Sequence, residues 1–221
     1  MKVLGKRVID SFNFLFSNPI IFLVYLPITL LGLISVYVDF NTTGSTLLTI
    51  LYMVAMLVFT SFIFTFLILK TAYHDSKKKI TFKQNVDLAA KKFKELLLAE
   101  LIIVIIIILF TSIMNILSLI WTSNFTIALL IVMATVFFFS LIKIFLFMPS
   151  AVLKGNLGFR ESWKITKTKR FIELAVMLIG YIIISSLLSM IPYVGYLIDS
   201  LVFGPMIVIL LTLLYLDYLK K

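Results

Sequence analysis

The sequence contains no cysteine, which excludes disulfides, a thiol nucleophile and thiolate metal sites. It has one histidine, His74, beside Asp75 in a basic stretch, so no Cys/His metal set is available; His74 is expected to be a solvated loop residue. Charge is scarce: 14% of residues are Asp, Glu, Lys or Arg, against about 25% in soluble domains. Acids are scarcer still, ten against 20 Lys and Arg, for a net charge of +10. The eight glycines are scattered, and no G-x-x-x-x-G-K-[ST], H-E-x-x-H or G-x-S-x-G motif occurs. What fills the chain is apolar, 62% of its residues, where soluble domains carry about 45–50%. A fold of 221 residues has too little interior to hide that surface, so a soluble enzyme and a disordered chain are both excluded. A polytopic membrane protein remains.

A hydrocarbon core of about 30 Å takes about 20 apolar residues as helix. Six stretches qualify: 19–38, 46–69, 96–120, 126–148 ending at Pro149, 171–191 ending at Pro192, and 195–219 interrupted by Gly204-Pro205. In lipid the backbone must satisfy its own hydrogen bonds, which favours helices, and runs such as Ile105-Ile106-Ile107-Ile108 lack the alternation of a transmembrane strand. Asn18-Pro19 reads as a capped helix start. Pro27 and Gly204-Pro205 predict bends. The first apolar run begins only at Pro19 and lacks a small-residue cleavage site, so a cleaved signal peptide is not expected. The sequons at Asn41 and Asn124 stand almost against the bilayer and are read as chance.

Lys and Arg orient the chain. Nineteen of the 20 fall in segments on one side of the six spans, from Lys2 to Lys221; the last, Lys143, lies inside the fourth span near that side. The opposite loops, 39–45, 121–125 and 192–194, hold none. Cytoplasmic loops are the Lys/Arg-rich ones, so both termini are expected in the cytoplasm and the protein in the cell membrane.

Each pair of spans follows a basic amphipathic segment. Thr81-Phe82-Lys83-Gln84 forms a T-x-x-Q capping box that predicts a helix from Phe82. Phe82, Val86, Ala89, Phe93 and Leu97 then share a stripe, with Lys83, Lys91 and Lys94 off it. Leu4, Val8, Phe12 and Leu15 repeat the pattern, and Phe159 and Trp163 supply a third version. Asp10, Asp87 and Glu161 hold matching places before the long helices. The fold class is therefore an all-α bundle of six transmembrane helices in three hairpins, each preceded by a basic amphipathic cytoplasmic helix. It forms one membrane domain over 1–221, with units at 1–70, 80–149 and 157–221 that read as a threefold repeat or as shared constraint. The basic segments serve as topology signals and interface anchors, or as a surface for anionic headgroups. A nucleic-acid partner is excluded, since lipid phosphates lie within a Debye length of the charge.

Polar groups inside spans are the candidates for function. They are Glu100, Lys143, Glu173, Asn115 and Asp199. Lys143 is expected to snorkel, to pair with Glu100 or Glu173 near the cytoplasmic edge, or to serve transport. Thr111, Asn115 and Ser118, and likewise Ser185 and Ser189, are spaced as helix–helix contacts or a polar pathway.

The segments Phe147-Met148-Pro149, Val152-Leu153-Lys154-Gly155 and Glu161-Ser162-Trp163-Lys164-Ile165-Thr166-Lys167, with Ile191-Pro192-Tyr193-Val194-Gly195, Pro205 and Leu214-Tyr215, carry a resemblance. Together they resemble the six-span membrane domain that precedes the catalytic domain of some glycerophosphodiester phosphodiesterases. That domain also stands alone in bacterial and archaeal proteins of unknown function. Thr168 departs from the pattern, which usually has Gly there. The resemblance implies the six-span topology. No residues here match the phosphodiesterase domain, so its activity and metal site are not implied. The expectation is a non-enzymatic membrane component without cofactor, handling lipid or scaffolding a partner or a second copy of itself. The alternative is a transporter of a small molecule or lipid.

Overall fold

The computed structural model describes residues 2–37, 46–120, 124–191 and 193–220. The loop at 39–45 with its Asn41 sequon, residues 121–123 and Pro192 lie outside the described residues. Every element described is helical. Five helices are long and apolar enough to cross a membrane, and a sixth span is present if the first two helices count together.

Helices α1 (Lys2–Phe16) and α2 (Ile20–Tyr37) meet at 89°. Leu4, Ser11, Phe14 and Leu15 form the buried stripe of α1, with Val8 and Phe12 half-buried, close to the expected face. Asn18 does not cap α2. Its Nδ2 donates backwards to the Phe14 carbonyl at 2.8 Å, closing α1 instead, while α2 starts on backbone bonds from Ile21 N–H to Asn18 O (2.9 Å) and Phe22 N–H to Pro19 O (3.1 Å).

Helix α3 (Thr46–Asp75) outruns its expected end by six residues and carries His74 on its last turn, so His74 is helical and rests its ring 4.7 Å from Phe14. The helix ends in a Schellman motif: Lys78 N–H bonds Tyr73 O and Lys77 N–H bonds His74 O, each at 2.9 Å. Lys77 takes the left-handed position usually given to glycine (φ 55°), at a cost of about 1–2 kcal/mol.

Helix α4 (Phe82–Ile120) opens on the expected capping box: Thr81 N–H bonds Gln84 Oε1 at 3.1 Å, and Gln84 N–H bonds Thr81 Oγ1 at 3.3 Å. With no Gly or Pro between 82 and 120, the amphipathic segment and the span fuse into one 39-residue helix, about 58 Å long at 1.5 Å per residue. Its buried stripe is shifted from the expected one. Asn85, Ala89, Leu96, Ala99 and Glu100 face inward, while Phe82 is 54% exposed. The shift follows from polar anchoring: Asn85 Nδ2 donates to Phe66 O (3.0 Å), and Lys92 Nζ reaches Val152 O (3.0 Å). Hydrophobicity counting does not register such bonds.

Helix α5 (Asn124–Ile144) stops before Pro149, and the chain restarts as α6 (Phe147–Lys154). Pro149 therefore begins a helix rather than ending one, in the first turn where a missing N–H costs nothing. Gly155 (φ 71°) ends α6, and Gly158 (φ 75°) opens α7 (Phe159–Ile165). A Cβ on Gly158 would lie 2.4 Å from Phe147 O, so α7 enters pressed against α6. Helix α8 (Thr168–Ser189) is followed by α9 (Val194–Ile198), a π segment (Asp199–Phe203) and α10 (Gly204–Leu219). The interruption expected at Gly204-Pro205 thus takes the form of a widened turn just before it.

Helix α10 is apolar on every side and buried on every side from Val208 to Tyr215, the pattern of a core helix. It is shared by two core clusters. Ile209 and Leu213 pack with Leu15, Ile21, Phe66, Leu67, Leu96 and Val152. Leu210, Leu214 and Tyr215 pack with Ile142, Leu146, Leu174 and Leu178.

Candidate functional site

The five sequence candidates do not form one cluster. Glu100 is 8% exposed and accepts a hydrogen bond from Ser61 Oγ. Ser61 lies nine residues before Lys70, about 13 Å of helix. Glu100 is thus well inside the apolar stretch of α3 and not near its charged end, because α4 packs along α3 from its first turn. Among the described residues no Lys or Arg pairs with Glu100.

Lys143 pairs with neither expected carboxylate. Its ammonium lies 4.5 Å from the centre of the Trp163 ring. The cause is α7, which Ser162 ties to the end of α5 by donating to Lys143 O at 2.9 Å. Glu173 accepts from Tyr218 OH at 2.7 Å, and Arg170 stacks on the same tyrosine ring at 4.6 Å. Asn115 and Thr111 lie on the exposed side of α4, and Thr111 Oγ1 bonds its own helix at Ile107 O (2.9 Å) and Ile108 O (3.0 Å). The Ser118 side chain lies outside the described residues. Of the expected stripe on α4, Thr111 is thus turned to its own helix rather than to a neighbouring one. On α8, Ser185 does reach across, donating to Asp199 Oδ2 at 2.9 Å, whereas Ser189 bonds back to Ser186 O at 2.7 Å.

Two cavities hold members of the set. The first is a groove of about 780 Å³ between α3, α4 and the α5–α6 junction, walled by Met56, Leu57, Ile103, Val104, Leu141 and Phe145. Glu100 is the one carboxylate in its lining. The second is a cavity of about 320 Å³ where α8 meets α9 and the π segment, lined by Ser185, Ser189, Tyr193, Tyr196 and Asp199. There the second oxygen of Asp199 is buried and has no hydrogen-bond partner among the described residues.

A third polar centre has no counterpart in the sequence reading, which took Asp10 only as a repeat marker. Arg7 donates through Nε to Asp217 Oδ2 (2.7 Å) and through Nη2 to Asp217 Oδ1, a two-point grip. Its Nη1 also reaches Asp10 and Asp75, both at 3.3 Å, and Lys220 Nζ holds the other oxygen of Asp75 at 2.9 Å. The Asp217 hydrogen bond pushes the guanidinium above its ordinary pKa against the opposing cost of burial, and the charges of Asp217, Asp75 and Asp10 add to it. The network ties α1 to the last turns of α3 and α10. One signal for it was in the sequence: Asp217 stands alone in an apolar helix and needs a cation. No protein-family model, no curated protein and no solved structure matches this chain.

Proposed function

We propose that this chain is a multi-pass protein of the cytoplasmic membrane, with both termini cytoplasmic, that holds a membrane lipid without catalysing a reaction on it. The observation that carries the reading is the groove between α3, α4 and the α5–α6 junction, about 780 Å³ and almost wholly apolar, with Glu100 in its wall. An acyl chain is the ligand the bilayer supplies in excess to such a groove. The orientation is supported by 19 of 20 Lys and Arg falling on one side of the spans. The non-catalytic role is supported by the lack of a recognised catalytic motif in the sequence. The three-hairpin arrangement and the kinship with the phosphodiesterase-linked membrane domain belong to the same proposal, on the quoted motifs.

The test is lipid retention. Native mass spectrometry of the detergent-purified protein should show bound lipid. Leu57→Trp with Val104→Trp, which fills the groove, should reduce it severalfold, while Ile131→Trp on the exposed side of α5 should not. Equal retention in all three overturns the reading and favours a scaffold for a protein partner. Orientation is checked with the cysteine-free chain: Ser45→Cys or Ser123→Cys, in the loops without Lys or Arg, should react with an impermeant thiol reagent from outside, and Ser76→Cys only from inside.

A transporter is the second reading, favoured by an Asp199 oxygen that has no partner among the described residues and stands at the start of a π segment, a backbone irregularity frequent at functional sites. Ion or solute flux in proteoliposomes that Asp199→Asn abolishes would establish it.

A further inference from the structure

An open cavity lies between α1, the end of α3 and the turn that follows it. It measures about 750 Å³, and among the described residues five cations line it against two carboxylates, leaving three positive charges in excess. The carboxylates, Asp10 and Asp75, are already held by Arg7, and Asp75 also by Lys220. Lys6, Lys77, Lys78 and Lys79 make no ion pair among the described residues. Their convergence is built by the backbone. The Schellman turn, with Lys77 at positive φ, ends α3 so that three consecutive lysines line the same cavity as Lys6 of α1. The floor is apolar, made by the buried Phe14 and Leu213. The cavity sits by the 89° corner between α1 and α2, the place where a helix lying flat on a membrane would meet one that crosses it.

We infer that this cavity binds a phosphate monoester, carried by a membrane lipid whose first methylenes lie on Phe14 and Leu213. Excess charge of three suits a dianion, and flexible ammonium groups can close on a tetrahedral phosphate from several directions. The apolar floor below a cationic mouth matches an amphiphile better than a free ion. The inference rests on the lipid-holding function proposed above and extends it to a second site, which shares no lining residue with the groove.

The experiment uses the full chain in nanodiscs of zwitterionic lipid, with and without a phosphatidic-acid-type lipid, and with glycerol phosphate as the soluble competitor. The wild type should enrich the phosphomonoester lipid around itself, read by native mass spectrometry after extraction. Lys77→Gln with Lys78→Gln and Lys79→Gln should weaken that preference by up to about a hundredfold, at about 1 kcal/mol per charge near the surface. Lys154→Gln with Lys164→Gln and Lys167→Gln removes the same charge outside the cavity, so it controls for general attraction to the surface and should leave the preference closer to the wild type's. Lys77→Gly removes one charge while suiting the positive φ, and keeps the test available if the triple variant folds poorly. Competition by glycerol phosphate at concentrations near the lipid's own would assign the site to soluble phosphate esters instead, and its failure assigns it to lipid. Equal losses from the two triple variants, or no preference in the wild type, overturn the site. Acyl-chain retention that persists when headgroup preference is absent leaves the groove standing and removes only the cavity.

Discussion

Helix α10 and the outer half of α4 are alike in composition and opposite in fate. Both are nearly uninterrupted runs of Ile, Leu and Val. Along the span that includes α10 half of the residues are buried, against 17% along the span in α4, where Ile105 to Leu109 are between 38% and 57% exposed. In water such a difference would track hydrophobicity. In lipid an apolar side chain is as comfortable against an acyl chain as against a neighbouring helix, so composition stops reporting who packs on whom. The helix at the centre is held by polar ties to three other helices. Asp217 binds α10 to Arg7, Tyr218 binds it to Glu173, and Tyr215 OH meets Ser150 Oγ at 3.4 Å. The outer half of α4 has Thr111 bonded to its own helix. Its inner half, by contrast, is anchored through Asn85, Lys92 and Glu100.

The largest way to break this contrast is to cut the tie. Arg7→Leu takes from Asp217, 17% exposed, its two-point partner, and from Asp75, 11% exposed, the more distant of its two cations. The expected loss is about 3–5 kcal/mol, the range for unpairing a largely buried charge. It should appear as a fall in the thermal unfolding midpoint of the detergent-solubilised protein. Arg7→Leu combined with Asp217→Leu should recover part of that loss. A midpoint unmoved by Arg7→Leu would mean that the network does not hold α10 in place.

A direct comparison comes next. Ile209→Ala, at a fully buried position of α10, should cost about 2–5 kcal/mol through the cavity it leaves. Ile106→Ala, on the open side of α4, should stay within about 0.5 kcal/mol. Equal effects in the same thermal assay would show that α4 is covered, by a second copy or by a partner.

The smallest effect sharpens the role of Lys143. A buried ion pair would make Lys143→Met cost several kcal/mol. The observed contact with Trp163, itself 49% exposed, puts the cost at about 0.5–1 kcal/mol, the value of an exposed cation–π contact. A loss several times larger would require a carboxylate partner.

Much of the local structure was legible. The capping box at Thr81 and Gln84 formed as read, because both of its bonds lie within four consecutive residues. The start of α4 followed for the same reason, and the buried Leu4 and Leu15 of α1 followed from their helical spacing. The misreadings share an origin in contacts distant along the chain. Asn18 turned back to Phe14, and the face of α4 rotated toward Phe66 and Val152. Lys143 followed Trp163 on a helix that packs under α5. Glu100 lies deeper than its place in α4 suggested, because depth is set by α3. The Arg7 network joins residues separated by up to 210 positions, a distance no periodicity spans.

The sequence by itself determined that the chain is a set of helices, and roughly where each long one begins and ends. Every helix must satisfy its backbone within its own segment, so length and apolarity suffice to recognise it. Tertiary structure alone decided which of these helices became the core, which acid met which cation, and where cavities opened. Those choices depend on a few polar side chains and close backbone approaches between segments, while the apolar majority is nearly indifferent between lipid and protein.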